Sequence, residues 1–278
     1  MIELDVRLPD GRMLHAFDAL PEKDTRLTLA WHHGSPQTGA PLRPVLEAAA
    51  VRGIRVFSYA RPAYGGSSAQ HGRDVASAAA DVIAVADALG IGRFAGMGAS
   101  GGGPHALAGS ARAGDRAIGV VTLAGIAPFT TQFDWFEGMA APEGIGSAFE
   151  GRAARARFEQ TAQFDPAQFV AADYAALDGA WSSLGEDVGR SAAWGTDGLV
   201  DDDVAFASPW GFGLDEVRAP VLVVQGGLDR VVPPAHATWM ARSLPDATLW
   251  LRPDDGHVSV LDAVPDAMDW LLTGRLVR

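Results

Sequence analysis

One serine, one histidine and one aspartate in this chain stand where they could share a proton. Ser100 lies in Gly98-Ala99-Ser100-Gly101-Gly102, a Gly-x-Ser-x-Gly pattern directly after an apolar run, which is the sequence form of a nucleophile elbow. A sharp strand-to-helix corner lifts a serine oxygen clear of a sheet and leaves the next backbone N–H free to meet a developing oxyanion. Glycines on both sides suit such a corner, where a Cβ would strike neighbouring backbone. A serine is a poor nucleophile at pH 7, so it needs a base within hydrogen-bond reach and an anion to orient that base. Among seven histidines, His257 is the best placed, following Asp254-Asp255-Gly256 just after the last expected strand. The expected anion is Asp229, which follows the apolar run 221–224 and the turn Gln225-Gly226-Gly227-Leu228. Asp254 and Asp255 are nearer to His257 in sequence, but neighbours along a chain seldom face one another.

These three side chains need a frame that brings strand ends together. Residues 2–19 alternate apolar and polar around Pro9-Asp10-Gly11, the form of an antiparallel hairpin. Strand patterns at 27–31, 54–59, 94–99 and 117–123 then alternate with helical patterns at 41–52, 74–89 and 102–112. Alternation resumes with strands at 221–225 and 248–251 and helices at 234–243 and about 258–272. Repeated β-α units imply a parallel sheet covered by helices on both faces, because parallel neighbours need a long crossover. Functional groups in such sheets collect at the carboxyl ends of the strands. Ser100, Asp229 and His257 are all expected there.

Residues 127–212 interrupt the alternation with helical and turn-like sequence, expected to be a helical cap inserted after the sixth strand; 1–126 and 213–278 form the core. Ser147-Ala148-Phe149-Glu150 fits a capping box at a helix start. Asp165-Pro166 fits an N-cap, and Gly179-Ala180-Trp181 separates two helices. The stretch holds 4 of the 8 Trp and 9 of the 12 Phe. Such aromatics first form the cap's own core, yet a lid over an elbow must also line a pocket, for which Phe129, Trp135 and Trp210 are candidates. An apolar or aromatic substrate group is therefore expected in place of a sugar or phosphate.

The chain has 278 residues and no cysteine, which excludes a thiol nucleophile and cysteine-ligated metals. Its net charge of -12 argues against nucleic-acid or anionic-membrane partners. Residues 127–212 carry 14 Asp and Glu against 4 Arg, and so contribute -10 of that excess. A solvated face is the expected reading, with attraction of cationic substrates as the alternative. No basic segment followed by an apolar core and no run of about 18 apolar residues is present, so a cytoplasmic protein is expected. The adjacent His32 and His33 point to opposite faces of a regular strand and cannot share one metal ion. His33 is expected to hold a loop, His105 to be a packing or surface residue, and His15, His71 and His236 have no partners that the sequence names.

The order Ser100, Asp229, His257 matches the α/β-hydrolase arrangement, and further motifs deepen that resemblance. His33-Gly34-Ser35-Pro36 resembles the family's His-Gly-x-Pro loop. Arg61-Pro62-Ala63-Tyr64-Gly65-Gly66-Ser67 resembles its Pro-Gly-x-Gly-x-Ser loop, with Ala63 replacing the first glycine. The turn 226–233 resembles the acid turn, with Gln225 where histidine is common, and Asp255-Gly256-His257 resembles the base loop. The chain thus resembles a capped α/β-hydrolase, similar to esterases, lactonases and proline-iminopeptidase-like enzymes. The resemblance implies a sheet of about eight strands and Ser100 as nucleophile. It further implies His257 as general base and then acid, Asp229 as the group fixing its tautomer, and the backbone N–H groups of Ser35 and Gly101 as oxyanion donors. No cofactor or metal is implied, and the partner is a small-molecule substrate.

Hydrolysis of an ester or lactone through an acyl-enzyme is the expected activity. Two alternatives of the same machinery stay open. Cleavage of a carbon–carbon bond usually needs positive groups for a carboxylate tail, of which the cap is short. Release of an N-terminal proline needs acids to hold an amine, for which Glu137, Glu143 and Glu186 are candidates. A ligand-binding receptor on a hydrolase fold is the alternative of another class.

Overall fold

Chain order and strand pairing together determine where the carboxyl ends of the strands converge. A computed structural model describes residues 1–20 and 24–276. The hairpin is β1 (Ile2–Arg7) and β2 (Met13–Ala19), closed by Leu8 N–H to Arg12 O at 2.8 Å. There follow β3 (Leu27–His32), α1 (Arg43–Arg52), β4 (Ile54–Tyr59), α2 (Ser77–Ala88), β5 (Phe94–Ala99), α3 (Gly102–Ala113) and β6 (Ala117–Leu123). Helices alone lie between β6 and the next strand among the described residues: α4 (Glu143–Ala148), α5 (Arg152–Glu159), α6 (Ala171–Asp178), α7 (Ser182–Ser191) and α8 (Asp197–Ala207). The chain then returns through β7 (Val221–Gly226), α9 (Pro234–Ser243), β8 (Ala247–Arg252) and α10 (Val264–Thr273).

The described strands form one sheet in the order β1-β2-β4-β3-β5-β6-β7-β8, antiparallel at β1–β2 and β2–β4 and parallel elsewhere. This is the α/β-hydrolase fold, with the mostly parallel eight-stranded sheet expected from the sequence. Both faces of the central strands are buried, so their sequences are continuously apolar instead of alternating. Leu29, Trp31, Val121, Leu222 and Val224 pack with α1 and α10 on one face. Their neighbours Val120, Val221 and Val223 pack with α3 and α9 on the other.

Some boundaries differ from the sequence expectation for local reasons. Leu42 is extended, so α1 starts at Arg43 with Pro44 in its first turn. The last helix is divided, with a 3-10 turn over Ser259–Ala263 preceding α10. Ser147 does not open a helix: it lies near the end of α4 and donates its hydroxyl to Gly144 O at 2.6 Å, while α5 begins after Gly151 at φ 95°. Asp165 does cap, accepting from Ala167 N–H at 2.8 Å, but only a 3-10 turn.

Candidate active site

Ser100 occupies the corner between β5 and α3 at φ 52°, in the left-handed region that a serine rarely adopts. Its N–H donates to Leu123 O at 2.8 Å and its carbonyl accepts from Gly103 N–H at 2.9 Å, so both flanking elements hold the corner. The glycines are required by proximity. A methyl at Gly98 would overlap the carbonyl of Gly102, and one at Gly102 would overlap the backbone of His32. Strained backbone of this kind persists only where its surroundings over-determine it.

The three sequence-selected side chains form one hydrogen-bonded chain. His257 Nε2 lies 3.0 Å from Ser100 Oγ, and His257 Nδ1 lies 2.9 Å from Asp229 Oδ2. Asp229 is buried just past β7; its Oδ1 accepts from Val231 and Val232 N–H, both at 2.9 Å, and its Oδ2 also accepts from Gln225 Nε2 at 3.0 Å. Gln225, standing where the resembled motif has histidine, thus holds the carboxylate from within β7. Burial pulls the His257 pKa down, but the Asp229 charge and hydrogen bond, with the Asp173 charge, outweigh it and leave it above the ordinary value. Hydroxyl, imidazole and carboxylate in this chain can pass a proton from the hydroxyl to the ring.

Ser35 and Gly101 come together beside Ser100. A methyl built on Gly101 would stand 2.7 Å from Ser35 Oγ. Neither backbone N–H has a hydrogen-bond partner among the described residues, and both residues line a cavity with Ser100. The loop holding Ser35 is built from the core side: Gly34 N–H donates to Gln37 Oε1 at 2.7 Å, and His33 Nδ1–H donates to Gly34 O at 2.7 Å while its Nε2 accepts from Arg61 N–H at 3.1 Å. His33 therefore has the loop-holding position expected for it. His105 is no surface residue; it is buried and donates Nδ1–H to Gly101 O at 2.7 Å. Burial and the Arg61 charge hold it well below the ordinary histidine range, and thus neutral. Among the other histidines, His15 meets Asp5 and Glu3, His71 meets Asp201, and His236 bridges Ala127 N–H and Trp135 O.

Sequence reasoning missed three aspartates of the segment between β6 and β7 that grip these loops. Asp202 of α8 accepts the Ser35 hydroxyl at 2.5 Å, Arg61 Nη2 at 2.7 Å, Arg73 Nη2 at 2.6 Å and the Tyr64 hydroxyl at 2.8 Å. Burial alone would push its pKa up, but Arg61 and Arg73 outweigh burial and keep it well below the ordinary value. Asp173 of α6 accepts from His257 N–H at 3.2 Å, from Val258 and Ser259 N–H at 2.8 Å each, and from the Ser259 hydroxyl at 2.9 Å. Asp187 of α7 similarly binds Thr38 through its N–H at 3.0 Å and its hydroxyl at 2.6 Å. The expectation of a wholly solvated acidic face is corrected here, since Asp173, Asp187, Asp201 and Asp202 are buried. Asp173, Asp187 and Asp202 satisfy buried loop donors and arginines, whereas Asp201 pairs with the more exposed Arg152 and His71.

Two cavities meet at Ser100, one of about 580 Å³ and one of about 220 Å³. Phe129, Trp135 and Trp210 line neither, which corrects the sequence expectation. Trp135 and Trp210 are buried in the core cluster with α3 and α9, and Phe129 is half-exposed against Trp135 and Phe149. The aromatic walls are Trp31, Phe158, Phe164 and Phe169 in the larger cavity and Phe206 in the smaller. Glu137, Glu143 and Glu186 are exposed and also line neither.

The family model described as alpha/beta hydrolase fold matches residues 29–264. The chain belongs to that family. A pimeloyl-[acyl-carrier protein] methyl ester esterase of Aromatoleum aromaticum is 35% identical over 91 residues, which span 33% of this chain and 34% of that protein. The fold is shared with a bromoperoxidase from Bacillus anthracis, at TM-score 0.76, 20% identity, and coverage of 98% of this chain and 99% of that one. It is also shared with the enol-lactonase from Burkholderia xenovorans LB400, at TM-score 0.72, 20% identity, and coverage of 97% of this chain and 100% of that one.

Proposed function

We propose that this chain is a serine hydrolase that cleaves carboxylic esters or lactones through an acyl-enzyme on Ser100. The carrying observation is the Asp229–His257–Ser100 chain, at 2.9 and 3.0 Å, where a large, mostly apolar cavity meets a smaller one. Ser100 Oγ attacks the carbonyl carbon as His257 Nε2 takes its proton, and Asp229 fixes the tautomer and stabilises the imidazolium. The carbonyl oxygen becomes an oxyanion held by the N–H groups of Gly101 and Ser35, each worth on the order of 3 kcal/mol in the transition state. His257 then protonates the departing oxygen, and a water activated by the same ring releases the acid. Residues 127–212 act as a cap that keeps the reacting carbonyl dry, which strengthens these electrostatic terms.

The relatives named as an esterase and an enol-lactonase support ester-type substrates. The geometry favours the ester reading over release of an N-terminal amine, because the acids that do line the cavities, Asp203 and Glu159, are already paired with Arg155 at 2.6 and 2.7 Å. The test is covalent labelling by a fluorophosphonate together with turnover on an ester, lactone and amide panel. Labelling and ester turnover are expected in the parent and absent in Ser100→Ala. Equal turnover in both proteins would refute the mechanism.

A further inference from the structure

The two cavities differ in more than size. Ser35, Ser100, Ala141, Gly144, Leu199 and Val231 border both, so they join at the nucleophile. His257 lines only the larger, and Gly101 lines only the smaller. The larger is lined from His257 by Trp31, Leu42, Phe158, Phe169 and Leu184, whereas the smaller is lined by Ile126, Met139, Ile145 and Phe206 with Asp203 and Arg230.

Proton transfer makes this asymmetry a statement about substrate orientation. In acylation the Ser100 Oγ–C bond forms and the bond from that carbon to the alcohol oxygen breaks. The proton that left Ser100 for His257 Nε2 passes to the departing oxygen, so the alcohol leaves neutral. A general acid must reach the atom it protonates directly or through one water. The alcohol oxygen must therefore face His257, and its carbon chain must run into the cavity that His257 borders. The carbonyl oxygen turns toward Gly101 and Ser35, leaving the acyl chain the smaller space.

Resting on the serine-hydrolase reading above, we infer that the preferred substrates are esters of a short acyl group with a large apolar alcohol. A cavity of about 580 Å³ lies within the range of roughly 300–1,000 Å³ that holds drug-sized groups, and one of about 220 Å³ falls below it. A methyl ester of a long acid is the reverse arrangement and fits poorly, because its acyl chain meets Phe206 and Ile145 while the larger cavity stays empty.

Isomeric esters test this without changing composition. Octyl acetate is compared with methyl nonanoate, and 2-phenylethyl acetate with methyl 3-phenylpropanoate; kcat/KM is expected to be at least tenfold higher for the acetate of each pair. Leu184→Trp should lower kcat/KM for octyl acetate at least fivefold more than for ethyl acetate. Ile145→Trp should lower it more for ethyl butyrate than for ethyl acetate. Equal or reversed preference within the pairs overturns the orientation while leaving the hydrolase reading intact, as does fluorophosphonate labelling of Ser100 without turnover of either acetate. Absence of both labelling and turnover strikes the hydrolase reading itself, and the orientation falls with it.

Discussion

Asp173→Asn isolates a single buried carboxylate of the segment between β6 and β7. Oδ1 accepts from Val258 N–H, Ser259 N–H and the Ser259 hydroxyl, and Oδ2 accepts from His257 N–H at 3.2 Å and Val170 N–H at 3.1 Å. An asparagine can keep its oxygen on the first set only by turning its NH₂ toward two backbone donors, and the flipped amide meets three. Two hydrogen bonds to a charged acceptor are lost, at about 1.5–3 kcal/mol each, so roughly 3–6 kcal/mol of stability should disappear. That is a large part of the 5–15 kcal/mol typical of a folded domain. Urea unfolding followed by fluorescence measures it as a lower midpoint.

The same variant has a signature that loss of stability alone would not give. His257's raised pKa owes part of its elevation to the Asp173 charge. The base works only when neutral, so a raised pKa sets the acidic limb of kcat/KM at higher pH, and Asp173→Asn should move that limb to lower pH. The loosened His257 backbone should also lower kcat/KM by about tenfold to a hundredfold, the cost of misplacing a reacting group by an ångström or less. An Asn variant with the parent's urea midpoint and acidic limb would refute the argument.

Asp202→Asn should destabilise the fold by about 3–5 kcal/mol, because Arg61 and Arg73 would remain buried with their anion gone; a urea midpoint within error of the parent would contradict this. His236 is held neutral, its pKa lowered from 6.5 to about 4 by burial, since Nδ1 accepts from Ala127 N–H and a proton there would face that donor. Its contribution is complete above pH 6.5 and lost as pH falls toward 4, so the parent should lose stability over that window more steeply than His236→Gln, and parallel curves would count against it. Ser100→Gly should be more stable than Ser100→Ala by about 0.5–1 kcal/mol, because glycine relieves the left-handed backbone at φ 52° at a smaller cost in unfolded-chain entropy. Matching urea midpoints for the two variants would show that the corner is not strained.

What the sequence makes legible follows from the range of the interaction responsible. The sheet could be read because strands buried on both faces are continuous apolar runs, and Ser100, Asp229 and His257 could be selected because each follows such a run. The cavity walls could not. Phe129, Trp135 and Trp210 lie outside the helices, and a helix as short as α5 or α6 has too few turns for periodicity to say whether its aromatic face covers a cavity or a core. Asp173, Asp187 and Asp202 were hidden for a stronger reason. Asp202 meets Ser35 across 167 residues of chain, and Asp173 meets Val258 across 85, separations that leave no local pattern.

The acidic balance of residues 127–212 was visible as a charge count, and a count does not distinguish solvation from anchoring. Burial does. Asp202 ends on the loop of Ser35, Asp187 on Thr38 beyond it, and Asp173 on the loop of His257, so three helices of one segment each supply an anion to the core loops around Ser100. Each anion satisfies several donors at once, and leaving such donors buried without a partner costs about 1–3 kcal/mol apiece. Lifting this segment as a rigid lid would expose all three sets together, so substrate entry should come from local opening that leaves the Asp173, Asp187 and Asp202 clusters closed.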